Sequence, residues 1–275
     1  MAQPKIYQPI HPDIAGKLLD EYAAFHNQHL AHAVPVHELP WDASIRNTPA
    51  VLGGSEPLKV GSVKDYRLSQ CSVRVFTPEG EPPEHGWPVF IFFHGENPYP
   101  AAVEDAVDTL QWVYSQGKAE LGIDPARIAV GGSSSGGNLA AILTHKAALT
   151  EPPIPLVFQL LVVPVVDNTA SAEDDRYPSW KENANTVSLV PAKMIWFRNN
   201  YSPNKEDWSK WDNSPIFAPD ETFRKAPSAW IAVAELDILR DEGITYGEKL
   251  KKAGVPVETV VYKGAPHPIM AMDGE

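Results

Sequence analysis

Apolar positions along the chain change period several times, and each change marks an element. Between residues 12 and 30, Ile14, Leu18, Tyr22 and Phe25 recur at helical spacing and predict a first helix. A proline-rich, irregular stretch runs from there to residue 58. KVGSVKDYRL and CSVRVFTP then alternate apolar and polar side chains, as two half-buried antiparallel strands do. PVFIFF is an unbroken apolar run, the pattern of a strand covered on both faces. Beyond it, Val103, Ala106, Val107, Leu110, Val113 and Tyr114 return at intervals of three and four, which predicts a long amphipathic helix with Gly117 as its C-cap.

The alternation then repeats. RIAVGG predicts a buried strand and NLAAILTHKAAL a helix. LVFQLLVVPVV, AWIAVAEL and PVETVVYK predict three more strands, with a helix over 241–253 between the last two. Such alternation predicts an α/β fold around a mostly parallel sheet. Between Asp167 and Pro227 it gives way to an aromatic, proline-punctuated insert carrying Trp180, Trp196, Phe197, Tyr201, Trp208 and Trp211. Clefts are lined by apolar and aromatic groups, so the insert is expected to form a lid, with Trp196, Phe197 and Tyr201 facing a ligand. One domain over 1–275 is expected, with residues 1–45 and about 168–226 as cap regions.

Composition narrows the classes. A net charge of −12 argues against nucleic acid or an anionic membrane as partner. The single cysteine, Cys71, excludes an internal disulfide and fits a reducing compartment. The first residues, MAQPKIYQPIHPDIAG, hold no apolar signal core, and no apolar run reaches the ~18 residues of a membrane span, so a cytoplasmic protein without stable membrane insertion is expected. His26, His29, His32 and His37 do not converge on one point if the segment is helical, and a solvated helix end is the expectation there. Phosphate-loop, dinucleotide and zinc motifs are absent, so neither cofactor nor metal is expected.

Candidate chemistry begins at VGGSSSGGN. Gly132-Ser133-Ser134-Ser135-Gly136 fits G-x-S-x-G with a predicted strand before it and a helix after it, the context in which the central serine becomes a nucleophile. A serine needs a base, and the base an orienting acid. Downstream lie His145, expected on the surface of the following helix, and His267, just past the last strand. WIAVAELDILRDE offers Glu235, Asp237, Asp241 and Glu242. Asp237 falls directly beyond its strand, whereas Asp241 and Glu242 are expected to serve the next helix N-terminus for dipole reasons.

These segments together resemble the hormone-sensitive-lipase-like branch of the α/β-hydrolases, over about residues 60 to 270. GGSSSGGN is similar to that family's G-D-S-A-G-G-N elbow, LDILRDEG to its D-x-L-R-D-E-G segment, and GAPHPI stands where the family has G-x-x-H-G-F. The resemblance implies an α/β-hydrolase fold with a helical lid from the N-terminus and the insert after the sixth strand. It implies a Ser134–His267–Asp237 triad that hydrolyses short- to medium-chain carboxylic esters through an acyl-enzyme. Ser133 and Ser135 depart from the family's aspartate and alanine. Ser135 would still offer its backbone N–H to an oxyanion hole, together with Gly95.

FFHGENPYP is the other departure. His94-Gly95 is similar to the start of the family's H-G-G-G motif, and Glu96-Asn97-Pro98 to the end of a later segment, as though a crossover of roughly 30 residues were missing between them. The family would place the lost strand beside the one ending at His94, so its neighbours must stay unpaired or re-pair. The chain also stops eight residues after His267, where the family continues into a final helix. The expected partners are a small-molecule ester and, at most, a second copy of the chain. The competing readings are a non-catalytic or inactive truncated relative that binds a small ligand, and an amide-hydrolysing enzyme of the same fold.

Overall fold

The computed structural model describes residues 5–42, 58–94 and 97–268. Among the described residues, seven strands form two sheets. β1 (Ser62–Arg67) and β2 (Ser72–Thr77) make a two-stranded antiparallel ribbon, as their alternation predicts. β3 (Trp87–Phe93), β4 (Ile123–Ser133), β5 (Phe158–Val162), β6 (Ser228–Leu236) and β7 (Val257–Pro266) make a five-stranded sheet in that order, parallel throughout. Among the described residues β3 is therefore an edge strand, hydrogen-bonded to β4 on one side. The ribbon does not pair with it but packs on the helix that follows β3, with Tyr66 against Trp112 and Ser69 Oγ donating to Asp108.

The helices α3 (Ala101–Leu121), α4 (Ser135–Ala148) and α8 (Arg240–Lys252) carry the principal core. Residues in register on neighbouring parallel strands point to the same face. One face presents Ile91, Val130, Leu161, Ala229 and Ile231, and all three helices bury it. The opposite face buries Val162, Ala232 and Ala234 with Ala265 near the strand C-termini, whereas Phe90, Phe92 and Tyr262 on it stay partly exposed. PVFIFF is thus covered on one side rather than two: Ile91 and Phe93 are buried, Phe90 and Phe92 about half exposed. An unbroken apolar run shows that both faces of a strand are apolar, and cannot show that a cover exists.

Other expectations shift locally. The first helical stretch is broken into α1 (Pro12–Ala15) and α2 (Asp20–Phe25), followed by a wider turn over His26–Leu30. Gly16 caps α1, and the Leu19 N–H is donated to the Gly264 carbonyl of β7 instead of to a helix. His26 is buried, not solvated, with Nε2 against the Gln8 carbonyl at 2.8 Å. α3 passes through Gly117, which lies close on Ile123, and ends at Gly122, whose φ of 66° suits glycine.

The insert between β5 and β6 holds α5 (Ser179–Glu182), α6 (Pro191–Tyr201) and α7 (Asp220–Phe223). In this chain it follows the fifth strand. It packs with the N-terminal helices through Ile14, Leu18, Tyr22, Val187 and Leu236. No helix among the described residues is long and apolar enough to cross a membrane.

Candidate active site

The site is built at the C-terminal ends of β4, β6 and β7. β4 ends at Ser133, α4 starts at Ser135, and Ser134 makes the whole turn between them at φ 56° and ψ −116°. A non-glycine residue holds a positive φ only where its surroundings enforce it. Here they do: the Ser134 N–H is donated to the Val162 carbonyl at 2.9 Å, and its own carbonyl accepts from Asn138 at 3.0 Å. The two motif glycines allow the turn. A Cβ on Gly132 would strike the Gly136 backbone, and a Cβ on Gly136 would strike the Phe93 carbonyl oxygen. The spacing in G-x-S-x-G is therefore a packing requirement, since strand β3 passes directly behind the elbow.

Asp237 follows β6 directly and is fully buried. Its Oδ1 accepts the Leu239 N–H at 3.1 Å, and its Oδ2 lies 2.8 Å from His267 Nδ1. His267 follows β7 directly, and its Nε2 lies 2.9 Å from Ser134 Oγ. Residues far apart in sequence thus form one hydrogen-bonded line. The Asp237 carboxylate fixes the proton on Nδ1, which leaves the Nε2 lone pair facing the serine hydroxyl. That arrangement can remove the hydroxyl proton as the oxygen attacks an electrophilic carbon. The Ser135 N–H is at the first turn of α4, where amides have no acceptor inside their helix. The Ser135 side chain is used elsewhere, donating to the His94 carbonyl at 3.0 Å. Gly95, the other expected oxyanion donor, lies outside the described residues.

The turn at Asp237 has supports that no sequence motif marks. Asn183, buried in the insert, donates from Nδ2 to the Glu235 and Asp237 carbonyls at 3.1 and 3.0 Å. Ser179 Oγ donates to the Ile238 carbonyl at 2.7 Å, and Asp241 accepts the Ser179 N–H at 2.7 Å. Glu242 lies in the first turn of α8, as expected, but it does not only face the helix dipole. It is fully buried and accepts from the Val166 and Asp167 amides and from the Trp180 indole. Burial foremost pushes its carboxyl up to about 8, against the pull of the two amides. Asn183 offers no sequence signal, because an isolated asparagine in an irregular insert matches no pattern.

His145 is also corrected. It is wholly buried, with Nδ1 against Thr222 at 2.8 Å and Nε2 against the Tyr246 hydroxyl at 2.9 Å. α4 is enclosed by the sheet, α3 and α7, so few of its positions reach solvent. Glu235 clasps the end of β7 instead of the site, accepting from Lys263 Nζ and the Gly264 N–H at 2.8 Å each. Trp196 and Phe197 lie on α6 with rings 5.1 Å apart, and Trp196 also meets Trp41. Tyr201 turns the other way, packing with Tyr99 and the main core. Among the described residues, no hydrogen bond or ring contact joins these three to the Ser134–His267–Asp237 line. A surface cavity of about 500 Å³ lies at the opposite end of the sheet around Gly86 and Gly122.

Comparison with known proteins gives a consistent result. A family model for the alpha/beta hydrolase fold matches residues 95–271. An AB hydrolase superfamily protein of the fission yeast Schizosaccharomyces pombe is 39% identical over 312 aligned positions, covering 96% of this chain and 91% of the relative. Since 96% of 275 residues is about 264, the relative carries some 48 positions that have no counterpart here. Esterase LipI of Mycobacterium tuberculosis is 41% identical over 170 residues, 59% of this chain and 48% of its own, so the match spans about half of that enzyme. Among solved structures, a thermostable esterase from Pseudomonas putida superposes with a TM-score of 0.77 at 29% identity, over 94% of this chain and 91% of that one. With a parallel sheet, a strand–serine–helix elbow and these relatives, the chain belongs to the alpha/beta hydrolase fold family.

Proposed function

We propose that the chain hydrolyses carboxylic esters with Ser134 as nucleophile, His267 as general base and acid, and Asp237 as the group that orients the imidazole. The observation that carries this reading is the continuous line from Asp237 Oδ2 through His267 to Ser134 Oγ, at 2.8 and 2.9 Å. Ser134 Oγ adds to the ester carbonyl carbon while its proton passes to Nε2. The Ser135 N–H receives part of the negative charge on the former carbonyl oxygen. The imidazolium then gives its proton to the departing alkoxide, leaving an acyl group on Ser134. A water, deprotonated by His267, attacks that acyl carbon, and its proton returns to Ser134 as the carboxylic acid leaves. No cofactor enters any step.

Residues 1–45 and about 168–226 would form the cap over the acyl group. The packing of Ile14, Leu18 and Tyr22 against Val187 supports a joint cap, with Trp196 and Phe197 as its substrate-side candidates. Short or medium acyl chains are the expected substrates. The test compares the chain with Ser134→Ala on p-nitrophenyl acetate, butyrate and octanoate, and on the matching anilides. Turnover of esters by the native chain alone is the expected result. Equal rates for the two proteins would overturn the reading, and faster turnover of anilides would reassign the activity to amides.

A further inference from the structure

Three segments meet behind the Ser134–His267–Asp237 line, and Glu242 joins them. The first is the loop that follows β5. Its Val165 N–H is donated to the Ser134 carbonyl at 3.4 Å, and the Val165 carbonyl accepts from Asn138 Nδ2 of α4 at 2.9 Å. That loop opens on Val163, a β-branched residue at φ 41°, a conformation that lasts only where the surroundings impose it. The second segment is the turn from Asp237 into α8. A Cβ on Gly243 would lie 2.8 Å from Val233 and 3.6 Å from Pro164, so α8 begins hard against β6 and the loop. The third is the insert, where Ser179 holds the Ile238 carbonyl and Trp180 Nε1 donates to Glu242 Oε2 at 3.4 Å.

Glu242 Oε1 accepts the Val166 N–H at 2.8 Å and the Asp167 N–H at 3.3 Å, two successive amides turned onto one oxygen. Every one of these contacts is an N–H donor, which suits a carboxylate, whereas a protonated carboxyl would aim its own proton at none of them. The charges around it are mixed. Asp167 of the loop opposes ionisation, and Arg198 of α6 favours it. Asp167 is itself held by Arg176 and by Tyr177, whose hydroxyl burial keeps neutral. Asp241, next to Glu242 on α8, is turned to Ser179 and Arg240. We propose that Glu242 is a positioning residue: its carboxylate clamps the loop after β5 to the start of α8, and so fixes the spacing of Ser134 and Asp237 that His267 spans. Its effect on turnover rests on the esterase reading, and the clamp itself does not.

The test starts with amide NMR shifts of the native full chain between pH 6 and 9, since burial pushes the Glu242 carboxyl up to about 8. The Val166 and Asp167 amides, which donate to it, are expected to titrate near that pH. The Ser134 and Leu239 amides, one on each side of the clamp, are expected to move with the same midpoint. Ser134 and Leu239 amides that stay still would overturn the proposal. Glu242→Gln keeps the volume and the oxygen facing the two loop amides, but sets an NH₂ against the Trp180 N–H. With p-nitrophenyl butyrate, native kcat is expected to rise through pH 8 as the carboxylate forms. Glu242→Gln is expected to lack that rise, with kcat about tenfold lower at pH 9 and KM little changed. A merely structural residue would lower the melting temperature and leave kcat and its pH profile as they are in the native chain, and that result too would overturn the proposal. If Glu242→Gln does not fold, the native amide titration decides alone. A native chain inert toward esters whose four amides titrate together refutes the esterase reading and leaves the clamp standing.

Discussion

Replacing Asp237 by asparagine isolates what the carboxylate does. Its two oxygens have different partners: Oδ2 accepts from His267 Nδ1–H and Oδ1 from the Leu239 N–H. An asparagine can satisfy one but not both without cost. With its oxygen toward His267, the amide NH₂ faces the Leu239 N–H, two donors in a fully buried place, a mismatch of about 1–3 kcal/mol. With its NH₂ toward His267, the Leu239 bond survives, but Nδ1 must become an acceptor and Nε2 carries the proton. The second orientation is then favoured about 5- to 150-fold, and in it His267 has no lone pair for Ser134. The minority orientation has lost the charge that stabilises imidazolium. Together these effects are expected to lower kcat about 10⁴-fold, roughly 5.4 kcal/mol of barrier, with KM little changed. The assay is p-nitrophenyl butyrate hydrolysis from pH 6 to 9, with thermal melting to verify the fold. A loss of less than tenfold in a folded variant would refute the argument that the Leu239 amide dictates the tautomer.

Other expectations follow from the same structure. Gly136→Ala forces a Cβ onto the Phe93 carbonyl, where neither backbone can yield, so a destabilisation of about 3 kcal/mol and loss of turnover are expected; urea unfolding and the esterase assay check both. Asn183→Ala withdraws the donor that bridges the Glu235 and Asp237 carbonyls, while Arg240 still donates to each. About 2 kcal/mol of stability should be lost, and kcat should fall while KM holds, because the residue positions the acid and does not face substrate. Burial, with Lys249 nearby, holds His145 down to about 3. A buried histidine that stays neutral binds fewer protons than the unfolded chain, so its contribution is intact above pH 6.5 and declines as pH falls toward 3. By pH 5 the loss is about 2 kcal/mol, and the urea midpoint of His145→Phe should depend less on pH over that interval than the native chain's.

Much of the site could be read in the residues because its chemistry imposes local spacing. The elbow at Gly132–Gly136 is a steric solution confined to a few consecutive residues, so its trace in sequence is compact. Asp237 and His267 each follow a strand directly, and strand ends are visible in the apolar pattern. Asn183 and the depth of Glu242 were hidden, since their partners lie 50 or more residues away and no short window contains both members of a pair. His145 misled for the same reason: a helix face is polar or apolar by its sequence, but enclosed on every side only by its neighbours.

The chain's own order of residues determined the strand and helix succession, the serine turn and the strand-end positions of Asp237 and His267, because period, turn sterics and motif spacing act over a few residues. Tertiary structure alone decided that β3 lies at an edge, that Phe90 and Phe92 face outward, and that the insert braces the acid turn. Burial and pairing are properties of what packs beside a residue. An apolar strand reads the same whether its second face is covered or bare.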